Sequence, residues 1–212
     1  MKKISLFITL FSIALIVTAF AEVKVVEEPN SPLPIEEQPV MEISMAEFFL
    51  PNKSKAHYKG EGNEFAELDV VVTKIDDFYT MVDEDNGGTL IRKIYRIKED
   101  RIEVIFENGM DFDEGIPTVN ELEDMAPLEI FLQKPFKEGT TFGKWTIVEI
   151  AATVETPYKT FQDAIVIEMS EQDFINRKYL VEGFGEVKRE AIQTTEGVNF
   201  TVTSLLESVS NN

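Results

Sequence analysis

From Met45 to the end of the chain, apolar and polar residues alternate in short runs with a period of two, and no long segment repeats at the helical period of about 3.6. That pattern excludes helical bundles and alternating βα units and leaves antiparallel sheet. Ile102, Val104 and Phe106 share one face against Arg101, Glu103 and Glu107, and Leu68, Val70 and Val72 share another against Asp69 and Thr73. Asp76-Asp77 reads as a tight turn into a strand at 78–82. The acidic run 83–88 ends in Asn86-Gly87-Gly88, tolerant of positive φ, and is expected as the loop before a strand at 90–97. A further strand runs from Arg101 to Asn108-Gly109. An irregular stretch at 111–126 has room for one helical turn at 120–125. Strands then resume at 128–132, 145–154, 161–169, 179–181, 186–191 and 199–206, rich in the residues that half-buried pleated surfaces prefer. Strands recurring every 8–12 residues or so point to a sandwich or barrel. The expected fold is all-β: an antiparallel, strongly curved sheet or open barrel or sandwich with little helix. It forms a single β domain over residues 45–208 with a frayed tail at 209–212.

The first residues address the chain outward. Lys2 and Lys3 precede an uncharged apolar run, 4–20, which ends in Ala19-Phe20-Ala21 and is followed at once by Glu22. This is the pattern of a signal peptide over 1–21. The competing reading is a retained anchor, because the run is close to the lower limit of a span at about 17 residues. Cleavage removes Lys2 and Lys3 and no acid, taking the net charge from −19 to −21. Residues 22–44 gather Pro29, Pro32, Pro34 and Pro39 among Glu27, Glu28, Glu36 and Glu37 and read as an acidic, Pro-rich tether. The expected location is secreted, extracellular or cell-wall associated, with no stable membrane anchor after cleavage. So acidic a chain has no basic surface for nucleic acid.

Three groups of residues carry a family resemblance. Phe49-Leu50-Pro51, Tyr58-Lys59-Gly60-Glu61-Gly62-Asn63-Glu64-Phe65-Ala66 and Asn86-Gly87-Gly88-Thr89 form the first. Lys137 to Phe142, Val154 to Pro157 and Thr160 to Ala164 form the second; Tyr179 with Gly183-Phe184-Gly185-Glu186-Val187-Lys188-Arg189 forms the third. The chain resembles a family of uncharacterised secreted proteins and lipoproteins of Gram-positive bacteria, with Y-x-G-E-G-N-E-[YF]-A and Y-x-x-G-x-G-x-V-K-R motifs. Phe142 stands where Trp is usual, and there is no Cys to carry the lipid that many relatives bear. The resemblance implies an antiparallel curved sheet and export, and supplies no catalytic residue.

Few residues here carry chemistry. The absence of Cys removes thiol catalysis, disulfides and zinc-thiolate sites. His57, the single histidine, has neither a G-x-S-x-G elbow nor a marked nucleophile and is read as a packing or surface residue. Asp83-Glu84-Asp85-Asn86-Gly87 has clustered oxygens, but its glycine falls at the fifth position and Ile94 occupies the twelfth, so it reads as a hairpin turn rather than a calcium loop. Asp111, Asp113, Glu114 and Gly115 are read the same way. Trp145, with Phe142 and Tyr158, would suit a stacking platform for sugar or lipid, and is read as core. Gly60-x-Gly62 and Gly183-x-Gly185 precede no helix and are read as bends or close backbone approaches, not phosphate loops. No catalytic, cofactor-binding or metal residue is assigned. The leading function is a non-catalytic binding module of the cell envelope, its partner an envelope protein or wall component. The alternative is a carrier or sensor of an apolar ligand inside an open barrel, with a carbohydrate-active enzyme less favoured. A packed interior supports the first and an apolar cavity open to solvent the second.

Overall fold

A computed structural model of the chain describes residues 43–109 and 115–211. The expected signal peptide, nearly all of the expected tether, and Asp111, Asp113 and Glu114 lie outside the described residues. The strands are β1 (Ser54–Glu61), β2 (Leu68–Lys74), β3 (Tyr79–Asp85), β4 (Leu90–Ile97), β5 (Arg101–Gly109), β6 (Glu129–Gln133), β7 (Thr141–Phe142), β8 (Trp145–Glu155), β9 (Thr160–Glu171), β10 (Phe174–Val181), β11 (Gly185–Thr195) and β12 (Val198–Asn211). One short helix, α1 (Val119–Glu123), interrupts them, and a 3₁₀ turn, Met45–Phe48, precedes them.

All twelve strands form one sheet in the order β6-β5-β4-β3-β2-β1-β12-β11-β10-β9-β8-β7. It is a meander in which β1 and β12 pair and the two edges, β6 and β7, are left as an open seam. Side chains show how far the sheet curls. Between β3 and β11 lie three strands, so the two are about 19 Å apart along a flat sheet. Yet Arg189 of β11 donates two hydrogen bonds to Glu84 of β3, at 3.0 and 3.1 Å. Only a sheet rolled nearly into a barrel brings them together. Bulges at His57/Tyr58, Ile94/Tyr95, Ile102/Glu103 and Tyr179/Leu180, and three irregularities between β8 and β9, add the local twist that rolling requires.

Alternation along the strands sorts the core. Ala56, Tyr58, Leu68, Val70, Val72, Val82, Tyr95, Ile102, Val104, Trp145, Ile147, Val187 and Leu206 belong to one buried cluster inside the roll. Tyr79, Met81, Ile94, Ile105 and Leu122 form a second, on the outer face of β3–β5 beneath α1. Strand β3 is therefore buried on both faces from Tyr79 to Val82, which explains why its apolar run does not alternate. Helix α1 starts where Thr118 N–H donates to the Glu121 carboxylate at 2.8 Å. Arg96 donates to the Met125 carbonyl at 3.1 Å and ties the segment after α1 to β4.

Most strands run longer than in the sequence reading, with β10 starting at Phe174 and β11 ending at Thr195, and the short β7 has no counterpart there. Three differences have a visible cause. Asp83, Glu84 and Asp85 are not loop: β3 runs through Asp85, because Arg92, Lys93 and Arg189 neutralise Asp83 and Glu84 as they enter the sheet. Strand β12 continues through Asn211, where a frayed tail was expected, since Ser54 lies opposite Asn211 and their side chains bond at 2.8 Å. Ile43 packs against the core and Ser44 caps the 3₁₀ turn, so the domain includes at least these two residues before 45.

Candidate functional site

One mouth of the barrel is stoppered by the chain's own residues 43–50. Ser44 accepts the Ala46 N–H, and the 3₁₀ turn that follows points Met45 and Phe48 inward, each 2 % exposed. Phe48 packs edge-on against Phe136 at 5.3 Å between ring centres, and Phe49 against Tyr95 at 5.1 Å. The β10–β11 turn grips the same segment, with Gly183 N–H donating to the Glu47 carbonyl at 2.6 Å. Gly185 has φ +73°, and a Cβ there would stand 2.7 Å from the Phe48 carbonyl oxygen. Residues 47–49 and Gly183-Phe184-Gly185, far apart in sequence, are thus two halves of one stopper. The G-E-G-N-E element is also architectural. Gly60 and Gly62 leave room for the backbones of Ala66-Glu67 and Thr201, and Asn63 accepts the Phe65 N–H at 2.9 Å to form the β1–β2 turn.

Behind the stopper lies a charged cluster that alternation alone does not announce. Arg189 holds Glu84 with a bidentate pair and also donates to Glu186; Lys93 lies 3.5 Å from Glu84 and Lys178 3.6 Å from Glu186. Tyr58 O–H donates to the Glu186 carbonyl at 2.6 Å, and burial pushes its phenol well above the usual range. Burial works against the Glu84 charge, but Arg189 and Lys93 outweigh it and hold the carboxyl well below the usual carboxylate range. Burial depresses Lys178, with Glu186 opposing, while its ammonium lies 4.9 Å from the Phe131 ring centre and 5.3 Å from that of Trp145. The clue in the sequence is one of phase. Glu84, Lys93, Lys178 and Arg189 occupy the same parity as the inward residues Val82, Tyr95, Leu180 and Val187.

The space left inside is small. A cavity of about 50 Å³ lies among Phe49, Tyr58, Tyr95, Glu84 and Arg189, enough for a water or two and not for an apolar ligand. Larger spaces open at the mouth, on either side of the stopper. One groove of about 600 Å³ is floored by Ile43, Phe48, Phe136, Ile150, Ile165 and Val181 and rimmed by Glu47, Asp163 and Glu182. The other, about 380 Å³, lies between Glu47–Asn52 and Val72, Lys74, Thr80 and Ile97.

Other candidate residues are scattered. Trp145 and Phe142 are buried, and Tyr158 lies half-exposed against Phe161 and Phe184, so the three build no common platform. Among the described residues, no group of three or more acids and histidines has the arrangement of a metal site. His57, on β1, faces acids alone: Asp69 at 2.8 Å, Glu207 at 3.5 Å and Glu67 at 4.0 Å. Its pKa is raised, chiefly by the hydrogen bond to Asp69; burial opposes this and the three carboxylate charges add to it. A raised folded-state pKa stabilises the fold fully below the unfolded value of about 6.5 and loses that contribution as pH rises through the folded one. The wild-type advantage in melting temperature over His57→Gln is therefore expected in full near pH 5.5 or so and to shrink steadily above about pH 6.5. An advantage that does not change across that window would count against the charged pairing.

No family model matches the chain, and no curated protein matches it. Among solved structures the chain is similar to a "putative exported protein with YmcC-like fold" from Bacteroides fragilis, with 13% identity, 77% of this chain and 99% of that one covered, and a TM-score of 0.50. At that identity the likeness shows the fold alone, and what the two proteins share is their curved β architecture.

Proposed function

We propose that this chain is a non-catalytic binding module, exported to the bacterial cell envelope, which docks on another envelope protein or a wall component. The observation that carries the reading is the filled barrel. Among the described residues, the inner cavity beside Glu84 and Arg189 holds about 50 Å³, whereas spaces of about 600 and 380 Å³ lie at the mouth, open to a partner. Ligand-holding pockets usually measure about 300–1,000 Å³, so contact at the rim is favoured over carriage inside. Export is supported by Lys2, Lys3, the apolar run and Ala19-Phe20-Ala21, by the resemblance to a secreted Gram-positive family, and by the description of the Bacteroides fragilis protein as exported. A binding role is supported by the state of the groups that could otherwise react. The His57 ring is held by Asp69 and flanked by Glu67 and Glu207, and Lys178 is tied to Glu186 inside the barrel.

Expression of the full chain in a bacterial host, followed by fractionation and intact-mass measurement, tests this. The expected product begins at Glu22, lies outside the cytoplasmic membrane and sediments with isolated envelopes. Full-length chain confined to membranes would overturn the export reading. Saturable, stoichiometric uptake of a fluorescent fatty acid by the purified protein would favour the carrier instead.

A further inference from the structure

We infer that the free edge of β8, from Val148 to Glu155, together with the 600 Å³ groove beside it, takes an extended polypeptide strand from a partner protein, one that alternates apolar with basic side chains. The inference rests on the binding-module reading and names the place and the chemistry.

The sheet supplies the first argument. Strand β7 pairs only with Trp145 and Thr146 of β8, and the last bonds across that side are Ile147 N–H to the Thr140 carbonyl and Gly139 N–H to the Ile147 carbonyl. Beyond Ile147, β8 has β9 on one side and no strand among the described residues on the other. An unpaired edge is a template for an added strand; native proteins blunt it with Lys, Pro, bulges or brevity, and of these the run on β8 has only its bulges against β9. The other edge, β6, is short and ends at Lys134-Pro135. The exposed run of β8 reads Val148-Glu149-Ile150-Ala151-Ala152-Thr153-Val154-Glu155, with neither Lys nor Pro, and leaves Val148 and Ile150 each 40 % exposed.

The groove supplies the second. Ile150 and Ala151 of the edge are part of its wall, so side chains of a strand added there fall into an apolar floor made by Phe48, Phe136, Ile165 and Val181. Ala151 and Asp163, both at φ 58°, bend the backbones of β8 and β9 at this wall. Charge supplies the third. The lining carries Glu47, Asp163 and Glu182 and no Lys or Arg. The neighbouring Glu47 carboxylate, with burial, raises the Glu182 pKa, and a cation placed beside the two would offset that repulsion. A second copy of this acidic chain brings the wrong sign to that rim.

The probe is a fluorescent, end-blocked peptide of alternating valine and lysine, titrated into the secreted chain and read by anisotropy. Measurements at about 0.15 M ionic strength, where the Debye length is about 8 Å, suppress bulk attraction. Saturable binding is expected, weakened about tenfold or more by Ile150→Lys and likewise by the Glu47→Gln/Glu182→Gln pair. Both substitutions are at exposed positions, and matching circular dichroism spectra confirm their folds. Equal binding by a lysine–glycine peptide would show bulk electrostatics and overturn the proposal, as would binding indifferent to Ile150→Lys. A dimer of the wild type dispersed by Ile150→Lys would mean that the edge pairs with its own copy, also against it. On cells the two readings separate. If Ile150→Lys protein still sediments with envelopes as the wild type does, the module binds elsewhere; if neither sediments, the binding reading itself fails.

Discussion

Gly185→Val is expected to destabilise the fold by about 2–6 kcal/mol, with about 1–3 from a β-branched residue held at positive φ and about 1–3 from overpacking against the stopper. The Cβ at this position meets the Phe48 carbonyl oxygen at 2.7 Å, and that carbonyl belongs to a turn clamped by Phe136 and by Gly183 N–H. Neither side can yield without withdrawing Phe48 from the core. Gly183 is the internal control: its φ is +79°, but a Cβ there meets nothing within 4 Å. Gly183→Val should show the strain part alone. Urea midpoints of the two variants compare them directly. Equal losses would mean that the contact with the stopper adds nothing, and a Gly185→Val chain as stable as the wild type would refute the bend argument.

Glu84→Gln is the second large effect. The substitution keeps the shape and removes the charge that Arg189 and Lys93 share, leaving Arg189 and Lys178 with Glu186 alone and Lys93 with the more distant Glu107. Removing one partner of a buried ion pair costs about 3–5 kcal/mol, because the other is left uncompensated. Replacing Glu84 and Arg189 together by Leu and Met should recover a large part of that loss. The acid dependence has a definite sign. The folded-state pKa of Glu84 is depressed, so its stabilisation is whole above the unfolded value of about 4.3 and declines as pH falls through the folded one. The melting difference between wild type and Glu84→Gln should therefore be level from about pH 7 down to about pH 5 and narrow in stronger acid. A difference below about 1 kcal/mol at neutral pH, the value of an exposed pair, would show that water reaches the cluster freely.

What was legible beforehand follows from what alternation can carry. Ile102, Val104 and Phe106, or Leu68, Val70 and Val72, announce a strand because one face meets water and the other does not. Tyr79-Thr80-Met81-Val82 obeys a different rule, since Leu122 covers its outer face, and only the third dimension shows that. The acids at 83–85 read as loop in the sequence because charge at the end of an apolar run ordinarily means solvent. Their cations lie on β4 and β11, and the reach from Glu84 to Arg189 crosses the barrel rather than the chain. The glycine pairs were readable as bends, but not what they bend around. The groove eluded the sequence altogether, as it is made where residues 43–48, Phe136, β8 and the β10–β11 turn happen to meet.

The pairing of β1 with β12 sets the order of events in time. Strand β1 finds its second neighbour only in β12, with Ser54 opposite Asn211. Until β12 is made, each half of the meander is a ribbon with one unsatisfied long edge, and joining them requires closing a loop over almost the whole domain. Such distant pairings form slowly. A polypeptide threaded through a translocation channel has to stay unfolded until it has passed, and this topology delays completion of the barrel without any added device. On the export proposed above, the same strand order would keep the chain transportable until the barrel closes.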